Sequence, residues 1–254
     1  MEAAKTEKKK RRKNGKRKKL ILTDILVDMI FPRRCPVCDS PLWPGKYICE
    51  ECRKSLKLLR GPVCFKCGKK LSDSDGEYCT DCLKRRHLFE RGRALYEYEG
   101  VRKPIYRFKY SGRREYAKFF GDRLAEYLGK EIKEWKIDGI IPVPIHRKRR
   151  AKRGYNQSLE LAKVLSEKLN IPLYENKVIR AVNTVPMKEL GANERQINLK
   201  NAFIVHKDDV KLECVLIVDD IYTTGSTIDA MAKVLKAAGT RKVYFVALAV
   251  GVGL

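Results

Sequence analysis

The chain has 254 residues, 44% of them hydrophobic, and a formal net charge of +25. That apolar fraction excludes a wholly disordered chain and allows one sizeable domain with a smaller module beside it. The charge excess favours anionic partners, whether nucleic acid, phosphorylated metabolites or acidic lipid.

Residues 1–19 carry eleven Lys or Arg against Glu2 and Glu7, and the run EKKKRRKNGKRKK has no hydrophobic period. They read as a disordered basic arm with weak, salt-sensitive affinity for polyanions. LILTDILVDMIF comes next and, after a basic run, imitates a signal peptide. Asp24 and Asp28 interrupt it, no small-residue cleavage site follows, and it is too short to span a bilayer. Leu22, Ile25, Leu26 and Met29 recur at helical spacing, which predicts a short helix docked on the next module. The expected location is cytoplasmic.

Eight of the nine cysteines then form four C-x-x-C pairs: Cys35 and Cys38, Cys49 and Cys52, Cys64 and Cys67, Cys79 and Cys82. The pairs are separated by ten, eleven and eleven residues, which marks an internal duplication of one small unit. Each C-x-x-C turn aims two thiolates at one point, and two such turns close a tetrahedral site suited to structural zinc. So short a segment buries too little apolar surface to fold alone, and metal binding supplies the missing free energy. A disulfide framework needs an oxidising compartment, and an iron–sulfur cluster uses the same ligands; both are weaker readings. Pairing in sequence order is the simpler assignment, with cross-braced pairing left open. Cys214, isolated in an apolar run, reads as a core residue. The module spans residues 20–86.

Residues 90–254 alternate short apolar runs with amphipathic stretches. ALYEYEG, DGIIPVP, NAFIV, CVLIVDD and KVYFVALAV read as strands, and IPLYENKVI begins extended. Helices are expected in RREYAKFFGDRLAEYLGKEIKEW, with Tyr116, Phe119, Phe120, Leu124 and Leu128 inward, and in GYNQSLELAKVLSEKL and STIDAMAKVLKAAG, the last stopped by Gly239. This alternation implies an α/β fold with a mainly parallel sheet covered on both faces, whose ligands bind beyond the carboxyl ends of the strands.

One such end carries Asp219 and Asp220, followed at once by YTTGST. Backbone N–H groups at the start of the next helix, with Thr and Ser hydroxyls, make a monophosphate cradle, and Gly225 allows close approach. No G-K-[ST] follows, so this is not a Walker loop. Two carboxylates facing the same crevice suit vicinal sugar hydroxyls, and a sugar phosphate satisfies both halves of the motif. His87 and His206 read as surface or packing residues. HRKRRAKR, which includes His146, reads as a basic loop with an exposed face. In YRFKYSGRREY, Tyr106, Phe108 and Tyr110 read equally as core residues or as rings that stack on bases.

The strand, acid pair and T-x-G-S/T loop resemble the ribose-phosphate signature of type I phosphoribosyltransferases. With PVPIHRKRRAKRGYNQSLELA, VIRAVNTVPMKELGANERQINLKNAF and the preceding double zinc ribbon, residues 20–250 resemble the ComF family, which is associated with competence and DNA uptake. Met187 departs from the family's usual Gln. The resemblance implies that Asp219 and Asp220 hold the ribose hydroxyls of phosphoribosyl pyrophosphate, and that Thr223, Thr224, Gly225, Ser226 and Thr227 hold its 5-phosphate. Arg149, Arg153 and Gly154 would face pyrophosphate, with Asn156 and Gln157 bracing their loop. Residues 183–201, including Glu194, Arg195 and Asn198, would form a mobile segment closing over the substrate. Two structural zinc ions and magnesium carried with the ligand are implied.

Two functions follow as expectations. One is transfer of 5-phosphoribosyl to a nitrogen acceptor that the sequence does not identify. The other is a non-catalytic adaptor in which zinc ribbons and basic surfaces engage single-stranded DNA or a competence helicase.

Overall fold

A computed structural model describes residues 30–72, 76–181, 202–206 and 211–251. The expected basic arm, all but the last two residues of the helix expected over residues 20–31, and residues 183–201 with Arg195 lie outside these.

Two short helices complete the cysteine-rich module, α1 (Glu50–Ser55) and α2 (Thr80–Lys84), and each begins directly after a cysteine, Cys49 or Cys79, at its N-cap. Acidic residues open both helices and basic residues close them, as the helix dipole favours. The following segment is a strand, β1 (Arg91–Glu97), and a helix, α3 (Tyr98–Tyr110). The strand expected through Gly100 thus ends at Glu97. From there Val101, Ile105 and Phe108 recur at helical spacing and are buried, so packing favours the helix.

Helix α4 (Tyr116–Glu134) buries Tyr116, Phe119, Phe120 and Leu124 as expected, with Leu128 partly buried. Strand β2 (Gly139–Pro142) follows, then α5 (Arg147–Arg153), α6 (Gln157–Leu169), β3 (Val178–Arg180), β4 (Phe203–Val205), β5 (Cys214–Tyr222), α7 (Ser226–Ala237) and β6 (Lys242–Val250). Gly239, at φ +99°, lies two residues beyond the end of α7.

The main sheet has the order β1-β6-β5-β2, and every neighbouring pair is parallel. Strand β5 is central and apolar through Val218, as a strand covered on both faces must be. Leu216 and Val218 pack with α3, α4 and α6, whereas Val215 and Ile217 pack with α7. NAFIV is not part of this sheet. Its residues form β4, which pairs antiparallel with β3 in a separate two-stranded ribbon. Cys214 is a core residue: its thiol donates to Trp135 O at 3.2 Å, and burial pushes its pKa up to about 11.

The cysteine-rich module contacts both faces. Cys35 belongs to the cluster on the α4 face, where the Tyr116 hydroxyl donates to Asp39 Oδ1 at 2.6 Å and Arg113 pairs with Asp39 at 3.1 Å. Cys64, Cys67 and Cys79 belong to the cluster on the α7 face. Gly68, at φ +72°, lies so close to β1 that a Cβ there would stand 2.7 Å from Gly92 O. Among the described residues, no helix is long and apolar enough to cross a membrane.

Helices α4 and α6 meet at Gly121, where a Cβ would lie 2.5 Å from Val164 Cβ. Gly121→Ala should therefore lower unfolding stability by about 1–3 kcal/mol, since a packed core resists an added methyl. A urea midpoint equal to that of the wild type would show that the two helices separate for no more than the roughly 1 kcal/mol of helix propensity that alanine gains.

Candidate functional site

Beyond the carboxyl ends of β5 and β2 lies a cleft of about 520 Å³. Asp219 and Asp220 both line it, as do Thr223 and Thr227 from the adjoining loop and Arg149 and Arg153 from α5. The stretch expected to be a loop is helical, because His146 caps it and Gly154, at φ 81°, ends it in the left-handed conformation. The cap is local: Lys148 N–H donates to His146 Nδ1 at 3.3 Å. A run of seven residues without an apolar stripe gives no helical period to read.

Gly225, also left-handed at φ 80°, is the N-cap of α7. A Cβ there would stand 2.8 Å from both His87 Cε1 and the Tyr222 hydroxyl, so conformation and packing both call for glycine. Thr224 is buried, and its hydroxyl lies 2.9 Å from Ser226 Oγ. Thr223 and Thr227 flank the cleft, while Thr224, Gly225, Ser226 and Gly154 are not part of its wall. The N–H groups of Ser226, Thr227 and Ile228, ahead of the first intrahelical bond from Asp229 N–H to Gly225 O, have no intrahelical acceptor, which makes this loop able to hold an anion.

Asp219 Oδ1 accepts from the Ser158 hydroxyl at 3.1 Å and from Asp220 N–H at 2.8 Å. Burial and the neighbouring Asp220 charge push Asp219 up to about 7, with the Lys109 charge opposing. Asp220 pairs with Lys109 Nζ at 2.8 Å, both side chains being largely shielded. Lys109 comes from the end of α3, and no motif in the sequence marks it. Arg180, from β3, also lines the cleft; burial and the Arg149 charge pull it down to about 10, with Asp219 opposing. With Lys152, the lining holds five cations against two carboxylates. Such a cleft favours an anion that also offers hydroxyl donors to the carboxylates.

Asn156 and Gln157 tie α5 and α6 to the rest. Asn156 Nδ2 donates to Val143 O at 2.9 Å, and its Oδ1 accepts from Ser158 N–H at 3.2 Å. Gln157 Nε2 donates to Phe108 O at 3.1 Å, and its Oε1 accepts from Arg153 at 3.1 Å. Arg153 also donates to the Tyr110 hydroxyl at 3.1 Å. Phe108 is core, whereas Tyr106 and Tyr110 are 57% and 49% exposed, so the core reading holds for Phe108 alone.

The cysteines gather in sequence order: Cys35, Cys38, Cys49 and Cys52 in one group, Cys64, Cys67, Cys79 and Cys82 in the other. Sulfur–sulfur distances of 3.7 Å (Cys35 to Cys49), 3.8 Å (Cys38 to Cys49) and 3.6 Å (Cys67 to Cys79) are those of a tetrahedral ion. A Zn–S bond of about 2.3 Å sets tetrahedral sulfurs roughly 3.8 Å apart. Both groups suit structural zinc, and cross-braced pairing is ruled out by the grouping.

Two family models match the chain: a double zinc ribbon domain over residues 26–83 and a phosphoribosyl transferase domain over residues 155–251. The chain is similar to competence protein F of Haemophilus influenzae, at 34% identity over 84% of this chain and 95% of that protein. It is 31% identical to DNA utilization protein YhgH of Escherichia coli, over 85% of this chain and 96% of that one. Competence protein ComFC of Bacillus subtilis is 26% identical, over 81% of this chain and 89% of its own length.

Because Asp219 binds its proton more tightly folded than unfolded, stability falls as pH rises from about 4 towards 7. Asp219→Asn keeps the acceptor oxygen and removes that penalty, on the order of 4 kcal/mol. The variant should melt above the wild type at pH 8, with the gap closing towards pH 5; a constant gap, or a lower melting point at pH 8, contradicts this. Metal analysis of fresh protein should find about two zinc ions per chain, as two closed four-thiolate sites require.

Proposed function

This chain belongs to the ComF family of competence and DNA utilization proteins, and from that premise we propose that its cleft binds magnesium phosphoribosyl pyrophosphate. The protein then transfers the 5-phosphoribosyl group to a nitrogen acceptor, in the cytoplasm and in the service of DNA uptake. The observation that carries this reading is the pair Asp219 and Asp220 inside a cleft whose other charged lining residues are all cations, beside an anion-ready helix start.

Each half of the ligand has a counterpart. Asp219 and Asp220 accept hydrogen bonds from the ribose 2- and 3-hydroxyls. The loop of Thr223, Thr224, Gly225, Ser226 and Thr227 takes the 5-phosphate through backbone N–H groups, with Thr223 and Thr227 on the cleft wall. Arg149 and Arg153, joined by Arg180 and Lys152, face the pyrophosphate, where guanidinium forks fit phosphate oxygens. Arg195 is assigned to substrate binding, within the segment expected to close over the ligand, from the resemblance alone. Lys109 holds Asp220 until the ribose arrives, and its released charge then lies within reach of the ligand's oxygens.

Magnesium bound with the ligand would neutralise part of its charge, held through pyrophosphate oxygens and water as that ion prefers. The carboxylates are the hard oxygen donors of the cleft and fit such an ion at its margin. In the reaction, the bond from the anomeric carbon to pyrophosphate breaks with its electron pair leaving on pyrophosphate. The acceptor nitrogen supplies the pair for the new bond and then gives up a proton. Asp219 and Asp220 stabilise the positive charge that builds on the ribosyl carbon, and catalysis rests on positioning and electrostatics.

A second reading has one observation in its favour. Tyr106 and Tyr110 stand exposed on α3, their rings 5.0 Å apart, on a surface that also carries Arg102, Lys103 and Arg107. Aromatic faces among cations suit a single strand of nucleic acid, which would make the protein an adaptor for DNA or a competence helicase. Both activities are compatible in one chain.

Calorimetric titration with magnesium phosphoribosyl pyrophosphate should give saturable one-to-one binding that Asp219→Asn with Asp220→Asn abolishes. Absence of heat and of any thermal shift in the wild type would sink the transferase reading. In gel shifts across a salt series, loss of single-strand binding on replacing Tyr106 and Tyr110 by Ala supports the adaptor role. Loss only on deleting residues 1–19 reduces it to the basic arm.

A further inference from the structure

His87 stands in the connection between α2 and β1, outside every motif of the cleft. Its side chain is 1% exposed, and Nδ1 donates to Asp229 Oδ2 at 2.7 Å. The next residue adds a second contact, since Leu88 N–H donates to Asp229 Oδ1 at 2.8 Å. Both oxygens of that carboxylate are therefore taken by the connection. Asp229 lies in the first turn of α7, where its N–H donates to Gly225 O at 2.8 Å.

The histidine ring also fills the space beneath Gly225, where a Cβ would come within 2.8 Å of Cε1, and it stacks on Phe89 at 4.7 Å between centroids. Nε2 is buried without a hydrogen-bond partner. An orphaned ring nitrogen opposes folding, so the site is not arranged for the comfort of the ring itself. What the ring does satisfy is the start of α7. A carboxylate in the first turn stabilises a free helix but repels a phosphate placed at the same end. Here the carboxylate is drawn to the His87 side, and neither residue lines the cleft.

We infer that His87 is a positioning residue for the phosphate loop. With Leu88 it clamps Asp229 and supports Gly225, so the connection leaving the second zinc ribbon is part of what shapes the anion site. The second ribbon is built into the same body: Cys64, Cys67 and Cys79 share a hydrophobic cluster with Phe89, Tyr222 and Ile228. This inference rests on the reading of residues 223–227 as a phosphate site, and its test separates the two.

Zinc-loaded full-length wild type and His87→Asn are titrated with ribose 5-phosphate and, separately, with pyrophosphate. The variant should lose about tenfold or more in affinity for ribose 5-phosphate, the scale expected of a misplaced binding group. Its pyrophosphate affinity and its zinc content should match the wild type. Unchanged ribose 5-phosphate affinity, or an equal fall for both ligands, overturns the inference while leaving the functional reading intact. Hydrogen exchange on the wild type decides the matter if the variant does not fold. Ribose 5-phosphate should slow exchange over residues 84–90 together with 222–232, and protection confined to 222–232 overturns the clamp. If the wild type takes up no ribose 5-phosphate at all, the functional reading falls first and the clamp falls with it.

Discussion

Asp219 and Asp220 repel one another at the rim of a parallel sheet, and the neighbouring residues act to hold them there. Adjacent carboxylates out of bulk water cannot both stay ionised without nearby positive charge. Lys109 reaches Asp220 from α3, the Ser158 hydroxyl and the Asp220 N–H donate to Asp219, and arginines from α5 and β3 line the same cleft. Removing Lys109 would leave a shielded carboxylate without its partner, a loss on the order of 3 kcal/mol by analogy with broken buried pairs. A chain selected for stability alone would not keep such an arrangement. The strain is intelligible if sugar hydroxyls and phosphate complete it.

The zinc ribbons matter to that arrangement through packing. Each four-cysteine group is too small to make a core of its own, and each lends its buried side chains to a cluster on a different face of the sheet. The first is fastened by Asp39 to Tyr116 and Arg113. The second lies against β1 at Gly68 and Gly92 and leads within a few residues to His87. The ribbons are thereby tied to α3, which carries Lys109 into the cleft, and to the loop that would carry its anion.

Much of this was legible in the sequence because it is local. Four C-x-x-C turns at repeating intervals can close only a few kinds of site, and the apolar run from Cys214 to Val218 can only be a covered strand. The acid pair and glycine turn sit where that strand must end. What the sequence does not show depends on distant segments meeting. Lys109 and Arg180 enter the cleft from α3 and β3, whose sequences carry no signal of that destination. The α5 helix was hidden because a basic run has no apolar stripe, and its cap and stop, His146 and Gly154, were the available clues. NAFIV has the alternation of a strand, but alternation does not say which partner it takes, and it pairs with β3 away from the main sheet. His87 reads in the sequence as a surface or packing residue and is the latter. Its importance comes from what it packs against.

The most direct test of the account is an electron-density map of the crystalline protein with magnesium phosphoribosyl pyrophosphate. The account predicts ribose hydroxyls against Asp219 and Asp220, the 5-phosphate on the turn at Gly225, and Lys109 released from Asp220. A map with the ligand elsewhere and the Lys109–Asp220 pair intact would contradict it.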